Sequence, residues 1–254
     1  MMRIHDLDDR MANFMSKTVM GAFFLARMVK GDQRISIQWK DEAKQSVLAY
    51  SNRRGEIKAV AYPGELMVGD VRNDFIYGTG ILKVIRWDIE NEYYQSFTNL
   101  TEDTFETNFQ KYIRDSEQIL SIIKMNTEIP KFGYIQARGI FLQALPEATD
   151  QDKERILRIS EQSFLHSDLI RKPAEEIAHS LESIFLEKVD HLDQGVPNFR
   201  CDCSRNKIAE VLVTLGKNEV EEILEEQGKI EVECEFCKSI YDFDSEKVAR
   251  LFPN

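Results

Sequence analysis

Three observations predict an α+β fold with a small separate unit at its C-terminal end. Stretches of alternating polarity and stripes of helical period occur in blocks, without the regular winding of βαβ units. The charge is uneven: residues 1–144 carry 19 basic and 19 acidic side chains, while residues 145–254 carry 14 and 25, which places the whole net charge of −11 in the second part. All four cysteines of the 254-residue chain lie between positions 201 and 237. The predicted division is therefore an N-terminal α+β domain with a mixed sheet over 1–146, an acidic, metastable helical linker over 147–197, and a C-terminal domain over 198–254.

The elements follow in order. Asp9 to Lys30 reads as a helix, because Met11, Phe14, Met15, Val19, Ala22, Phe23 and Ala26 recur at spacings of three and four, and Gly31 ends it. Period-two stretches at Arg34–Trp39, Ser46–Ser51 and Ile57–Tyr62 read as strands, with a turn at Asn52–Gly55 and a stop at Pro63-Gly64. Gly78-x-Gly80 precedes a strand, Ile81–Trp87. It lacks both a third glycine and a following helix, so it is a turn and not a dinucleotide fingerprint. Tyr93–Phe97 is the expected hairpin partner of that strand. Thr101 is placed to cap a helix reaching about Asp115, with strands at Ile119–Lys124 and Tyr134–Leu145 after it.

Beyond Pro146 the strand pattern stops. Arg155–Leu169 is loosely helical through Ile156, Ile159, Phe164 and Leu165, and Pro173 opens a cleaner stripe of Ile177, Leu181, Ile184, Phe185 and Val189. Short acidic helices with narrow apolar faces are marginal alone and depend on docking. In the last segment Ser204 caps one helix, Asn218 with Glu221 has the spacing of a capping box for a second, and Gly228 stops it. Ile230–Glu233 and Ile240–Phe243 flank the second cysteine pair, and Ser245 caps a final helix.

The cysteines form a C-x-C pair, Cys201 and Cys203, and a C-x-x-C pair, Cys234 and Cys237, with 30 residues between. Four thiolates in two close pairs suit a tetrahedral soft-ligand ion, usually zinc. The same thiols could instead close two very short disulfides. The start of the chain has acidic residues where a secretory signal would be basic, which predicts a cytoplasmic protein whose thiols stay reduced. A unit of 57 residues buries little apolar surface, so a metal would serve as its staple. The one-residue spacer holds two sulfurs very close, and its oxidised form is a small strained ring of the reversible, regulatory kind.

Several classes are excluded or left weak. The acidic charge repels phosphate backbones and argues against nucleic acid as a partner. The most apolar run, Val19–Val29, is about half a membrane span and contains Arg27, so no membrane association is expected. His5, His166, His179 and His191 are scattered, and the glutamate clusters at 175–176, 221–222 and 225–226 read as solvated helix faces. No nucleophile–base set or phosphate loop stands out, so the chain is not expected to be an enzyme.

The C-terminal pattern resembles a known family. Phe199-x-Cys201-x-Cys203-Ser204-Arg205, Thr214-Leu215, Glu219-Val220, Ile223-Leu224, Gly228, Ile230-Glu231-Val232 and Cys234-x-Phe236-Cys237 with Tyr241-x-Phe243 are similar to the zinc domain of the heat-shock protein 33 family of bacterial redox-regulated chaperones. In the first domain Lys30-Gly31, Arg34–Gln38, Gly80–Ile85, Tyr94-Gln95, Tyr112, Ser116–Gln118 and Leu142–Pro146 fall in the family's order. The stretch Trp39–Gln45, where the family has a glycine-rich turn, and Arg138, where a small residue is common, depart from the pattern.

The resemblance implies an ATP-independent holdase for stress conditions. One Zn²⁺ would be held by Cys201, Cys203, Cys234 and Cys237 in the reduced, inactive form. On oxidation, Cys201–Cys203 and Cys234–Cys237 disulfides would form, zinc would leave, the linker would unfold, and the chain would dimerise and hold unfolding client proteins. Two other readings stay open. One is a thiol–disulfide oxidoreductase using Cys234-x-x-Cys237, and the other a structural zinc adaptor for a fixed protein partner.

Overall fold

A computed structural model describes residues 7–42, 44–62, 80–87, 93–131, 134–161 and 167–252. The chain divides into two compact units, Met2–Phe199 and Arg200–Asn254. The α+β class holds, and the large sheet is mixed.

In the larger unit, helix α1 (Asp9–Met28) starts at Asp8, whose carboxylate accepts the Met11 N–H at 2.8 Å. It lies across strands β1 (Arg34–Asp41), β2 (Ser46–Asn52) and β3 (Glu56–Tyr62). Most of the expected apolar stripe is buried: Met11, Phe14, Met15, Ala22 and Ala26 lie in the core, while Val19 and Phe23 are half-buried and Leu25, outside the stripe, is buried with them. Strands β4 (Gly80–Trp87) and β5 (Tyr93–Asn99) pair antiparallel, as the hairpin reading expects, and extend the sheet in the order β5-β4-β1-β2-β3, with the short strand β8 (Asn198–Phe199) beyond β3. Pro63-Gly64 and Gly78-Thr79 lie outside the described residues.

Helix α2 (Phe105–Tyr112) begins later than Thr101. Thr104 and Thr107 form the capping box, while the buried Asn108 carboxamide accepts the Thr101 and Glu102 N–H groups at 3.0 and 3.1 Å. Thr101 thus belongs to the loop that Asn108 ties down. Phe105 packs with Phe14 and Trp39, Phe14 meeting both of them edge-on at 5.3–5.5 Å between ring centroids, and Phe109 packs against Phe105 at 6.0 Å. A π-helical turn (Ile113–Glu117) follows and ends at Gln118 with φ of 57°. Glu117 there accepts the Tyr112 hydroxyl at 2.7 Å and pairs with Arg86.

Strands β6 (Ser121–Glu128) and β7 (Gln136–Gln143) form a separate antiparallel hairpin. The segment read as a linker folds on it. Helices α3 (Asp150–Glu161), α4 (Ser167–Ile170) and α5 (Ala174–Phe185) place Ile156, Leu169 and Ile170 against Ile122 and Ile140, with Ile177, Ile184 and Phe185 at the margin. The docking partner that these marginal helices need is therefore this hairpin, inside the larger unit. Arg155–Leu169 is not one described helix, and Phe164 and Leu165 lie outside the described residues. Leu186 ends α5 with φ of 57°, which leaves Val189 outside the helix and exposed.

After α5 the chain runs extended. Asp193 pairs with Arg27, the Asn198 N–H donates to Gly55 O at 2.8 Å, and β8 (Asn198–Phe199) pairs parallel with Glu56 and Ile57. Gly55 has φ of +79°, and a Cβ there would lie 3.0 Å from Val196 O. Leu192 and Val196 are 93% and 80% exposed, so polar and backbone contacts hold this strap rather than apolar burial.

The smaller unit contains α6 (Arg205–Leu215), α7 (Lys217–Gln227), the β9 (Ile230–Glu233) and β10 (Ile240–Phe243) hairpin, and α8 (Ser245–Leu251). Ser204 caps α6 as expected. The Asn218–Glu221 capping box does not form, because Gly216 precedes α7 without a side-chain cap. Asp244, not Ser245, caps α8, accepting the Lys247 N–H at 2.9 Å. The core is small: Leu212, Val220, Ile230, Phe243 and Val248.

One glycine in the larger unit is dictated by close approach. Gly80 has φ of +143°, and a Cβ would lie 2.5 Å from Lys40 O, across the β1–β4 pairing. Gly80→Ala is expected to destabilise the larger unit by about 2 kcal/mol or more in urea unfolding, since neither the conformation nor the backbone neighbour can yield cheaply.

Candidate metal centre

Two turns in the smaller unit carry the cysteines. The first leads from β8 into α6. Ser204 Oγ accepts the Lys207 N–H at 3.3 Å, which fixes the chain direction just after Cys203. Lys207 Nζ reaches the Asp202 carboxylate at 2.7 Å. Arg205 donates to the Asp242 carbonyl and lies over the Phe243 ring, 5.4 Å from its centroid, so this turn is tied to β10. The second turn joins β9 to β10. The Lys238 N–H donates to Cys234 O at 2.8 Å and the Cys234 N–H donates to Ser239 O at 2.9 Å. Lys238 carries φ of 61°, the left-handed conformation that closes the knuckle.

These turns bring together the four cysteines singled out from the sequence. Cys201 Sγ lies 3.6 Å from Cys234 Sγ, and Cys203 Sγ lies 3.3 Å from Cys237 Sγ. All four sulfurs fall within 4.8 Å of one another. A tetrahedral zinc site with Zn–S bonds of about 2.3 Å requires S···S edges of about 3.8 Å. A disulfide requires about 2.05 Å. The spacing therefore fits a cluster that could hold a metal ion. Both S···S contacts join a cysteine of one motif to a cysteine of the other, and both are well beyond disulfide length.

The protonation states support the same fit. Burial, first of all, pushes the Cys201 thiol up to about 12. Burial also raises Cys203, against a lowering hydrogen bond from Tyr241. At Cys237 burial again pushes upward, but hydrogen bonds from Ser239 and the neighbouring thiols outweigh it and bring the thiol down to about 6. Clustered sulfurs cannot all become anionic without a cation among them, and a bound metal removes that conflict.

Two side chains that the cysteine spacing did not reveal touch the sulfurs. The Tyr241 hydroxyl donates to Cys203 Sγ at 3.0 Å, and Ser239 Oγ lies 3.2 Å from Cys237 Sγ. The sequence offered no signal for them: strand β10 begins only at Ile240, and the left-handed Lys238 breaks any period of two running back to Cys237. The scattered histidines stay scattered. His179 pairs with Glu182 at 3.5 Å and is exposed, His191 lies on the exposed strap, and His5 and His166 lie outside the described residues. Among the described residues the four cysteines are the group able to ligate a metal, and no helix is long and apolar enough to cross a membrane.

Fold and site together define a two-unit α+β protein carrying a four-cysteine module. The chain belongs to the Hsp33 family, whose model, described as Hsp33 protein, matches residues 1–244. It is 27% identical over 256 residues to the 33 kDa chaperonin of Thermodesulfovibrio yellowstonii and 28% identical over 266 residues to that of Listeria monocytogenes; each comparison covers 98% of this chain and 88% of the relative. A crystal structure of the 33 kDa chaperonin (heat shock protein 33 homologue) of Thermotoga maritima has the same fold, with a TM-score of 0.82 at 22% identity, covering 98% of this chain and 88% of that one. This is a family of chaperones, not of enzymes.

Lys238 offers a local check. Glycine adopts φ of +61° without the steric penalty a lysine side chain meets, and the exposed Lys238–Glu233 pair contributes little. Lys238→Gly is expected to stabilise the smaller unit by up to about 1 kcal/mol, seen as a small rise in its melting temperature.

Proposed function

We propose that this chain is a redox-regulated, ATP-independent holdase. The observation that carries the reading is the convergence of all four cysteines to within 4.8 Å in a unit with a small apolar core. One Zn²⁺ held by Cys201, Cys203, Cys234 and Cys237 would supply on the order of 10 kcal/mol or more to folding that unit. Zinc also keeps the sulfurs deprotonated and nucleophilic toward peroxide. Each pair gives up two electrons to one hydrogen peroxide, which takes up two protons and leaves as two waters. Cys201–Cys203 and Cys234–Cys237 become disulfides, and the ion has no ligands left.

The route to the rest of the chain starts at β8. One residue, Arg200, separates Phe199 from Cys201. Loss of the staple frees the end of a strap held by a two-residue strand, the Gly55 contact and the Arg27–Asp193 pair. Helices α3–α5 follow, since they bury few side chains against β6–β7. The loosened helices would hold unfolding clients, and the oxidised chain would dimerise. The reducing cytoplasm is the compartment in which this switch has a resting state.

The oxidoreductase reading is disfavoured by a specific feature. Cys234–Cys237 sits in the β9–β10 turn, where no helix begins, so the helix N-terminus that activates a catalytic C-x-x-C thiolate is missing. A fixed zinc adaptor would lose its activity on oxidation rather than gain it.

Purified reduced protein is expected to carry one zinc per chain and four titratable thiols. Peroxide with mild heat should release the zinc, remove the thiols and confer suppression of aggregation on an unfolding client enzyme. Reduced protein without zinc, or oxidised protein that leaves aggregation unchanged, contradicts the reading. Cys234→Ser should lower zinc affinity at least tenfold by chelator competition and loosen the smaller unit, because three thiolates cannot close the tetrahedron.

A further inference from the structure

The strand that leaves the second cysteine turn puts a hydroxyl on one sulfur of each pair. The Tyr241 hydroxyl donates to Cys203 Sγ at 3.0 Å, and Ser239 Oγ lies 3.2 Å from Cys237 Sγ. Tyr241 lies within β10, and Ser239 immediately precedes that strand. Tyr241 pairs with Val232 in the β9–β10 ladder, and Ser239 O accepts the Cys234 N–H at 2.9 Å. The backbone that carries the two hydroxyls is tied to β9 and to Cys234.

As a free thiol Cys237 donates to Ser239 Oγ, while Tyr241 already donates to Cys203; a metal-bound sulfur has no proton to give, so there the Ser239 hydroxyl turns to donate as well. Donation to an anionic sulfur is a charge-assisted hydrogen bond and is stronger than a neutral one. A disulfide sulfur is neutral and a poor acceptor, so the same hydroxyl gains little from the oxidised form. The two bonds therefore favour the reduced, ligating state selectively. Because Tyr241 serves the C-x-C pair and Ser239 the C-x-x-C pair, the two effects are separate.

We propose that Tyr241 and Ser239 are positioning residues that hold the zinc-ligating state, each acting on one cysteine pair. The proposal rests on the metal reading above and adds to it which groups outside the ligand set determine how firmly each pair is kept. Removing either hydroxyl should weaken zinc retention and make its own pair easier to oxidise.

The test uses the full-length reduced protein with Zn²⁺ as the probe. Tyr241→Phe, Ser239→Ala and Ser239→Thr are compared with wild type by chelator competition. The oxidation of each pair is then mapped by differential alkylation and mass spectrometry at limiting hydrogen peroxide. All variants should bind one zinc. Tyr241→Phe and Ser239→Ala should each lose about tenfold in zinc affinity, the lower end for outer-shell partners, and Ser239→Thr should behave as wild type. Tyr241→Phe should raise the oxidised share of Cys201–Cys203, and Ser239→Ala that of Cys234–Cys237. Unchanged affinity overturns the proposal. So does an equal rise at both pairs in both variants, which would mark general loosening, or a Ser239→Thr variant that matches Ser239→Ala. A wild-type protein that binds no zinc overturns the metal reading itself, and this proposal with it.

Discussion

The smaller unit depends on four sulfurs meeting at one point. Cys201 and Cys203 come from the turn before α6, and Cys234 and Cys237 from the turn between β9 and β10, more than thirty residues later. Besides the sulfurs, these turns rest on a small core of five buried apolar residues with partly buried neighbours, and on the Arg205 link to Asp242 and Phe243. Take away a cation from the centre and the sulfurs have opposed needs, since burial raises Cys201 while hydrogen bonds lower Cys237. Under the zinc reading the ion satisfies both demands, so folding and redox state become one equilibrium.

The larger unit has another balance. Its sheet, α1 and α2 share a dense aromatic core around Phe14, Trp39 and Phe105. Its C-terminal third is different. Helices α3–α5 rest on the β6–β7 hairpin through a handful of aliphatic side chains, and the strap beyond them exposes Leu192 and Val196. A molecule with a stable platform and a weakly docked layer can lose the layer alone. In the holdase reading that layer is the output of the switch, and the platform is what keeps the rest of the chain from aggregating with its clients.

Much of this was legible in the residues. Helix α1 and strands β1–β5 follow from period and turn chemistry, and the cysteine spacing pointed to the cluster that the fold assembles. The misses share a physical cause. Thr101, Asn218 and Ser245 are good caps by composition, but Thr104, Gly216 and Asp244 hold those positions because the neighbouring packing fixes where each helix can start. The docking site of α3–α5 was not readable because it is a tertiary choice: narrow apolar stripes carry no address, and the hairpin they meet is formed by residues 121–143. The Tyr241 and Ser239 contacts were hidden for a similar reason, since a hydroxyl's partner depends on where a second turn is folded.

The most direct measurement of the central claim is amide hydrogen exchange, read segment by segment, on reduced zinc-loaded protein and on the same protein after peroxide treatment. The account predicts that protection is lost over residues 200–254 and then over 150–199, while α1 and β1–β5 keep theirs. Unchanged protection over 150–199 after zinc has left, or loss spread evenly over the whole chain, would contradict it.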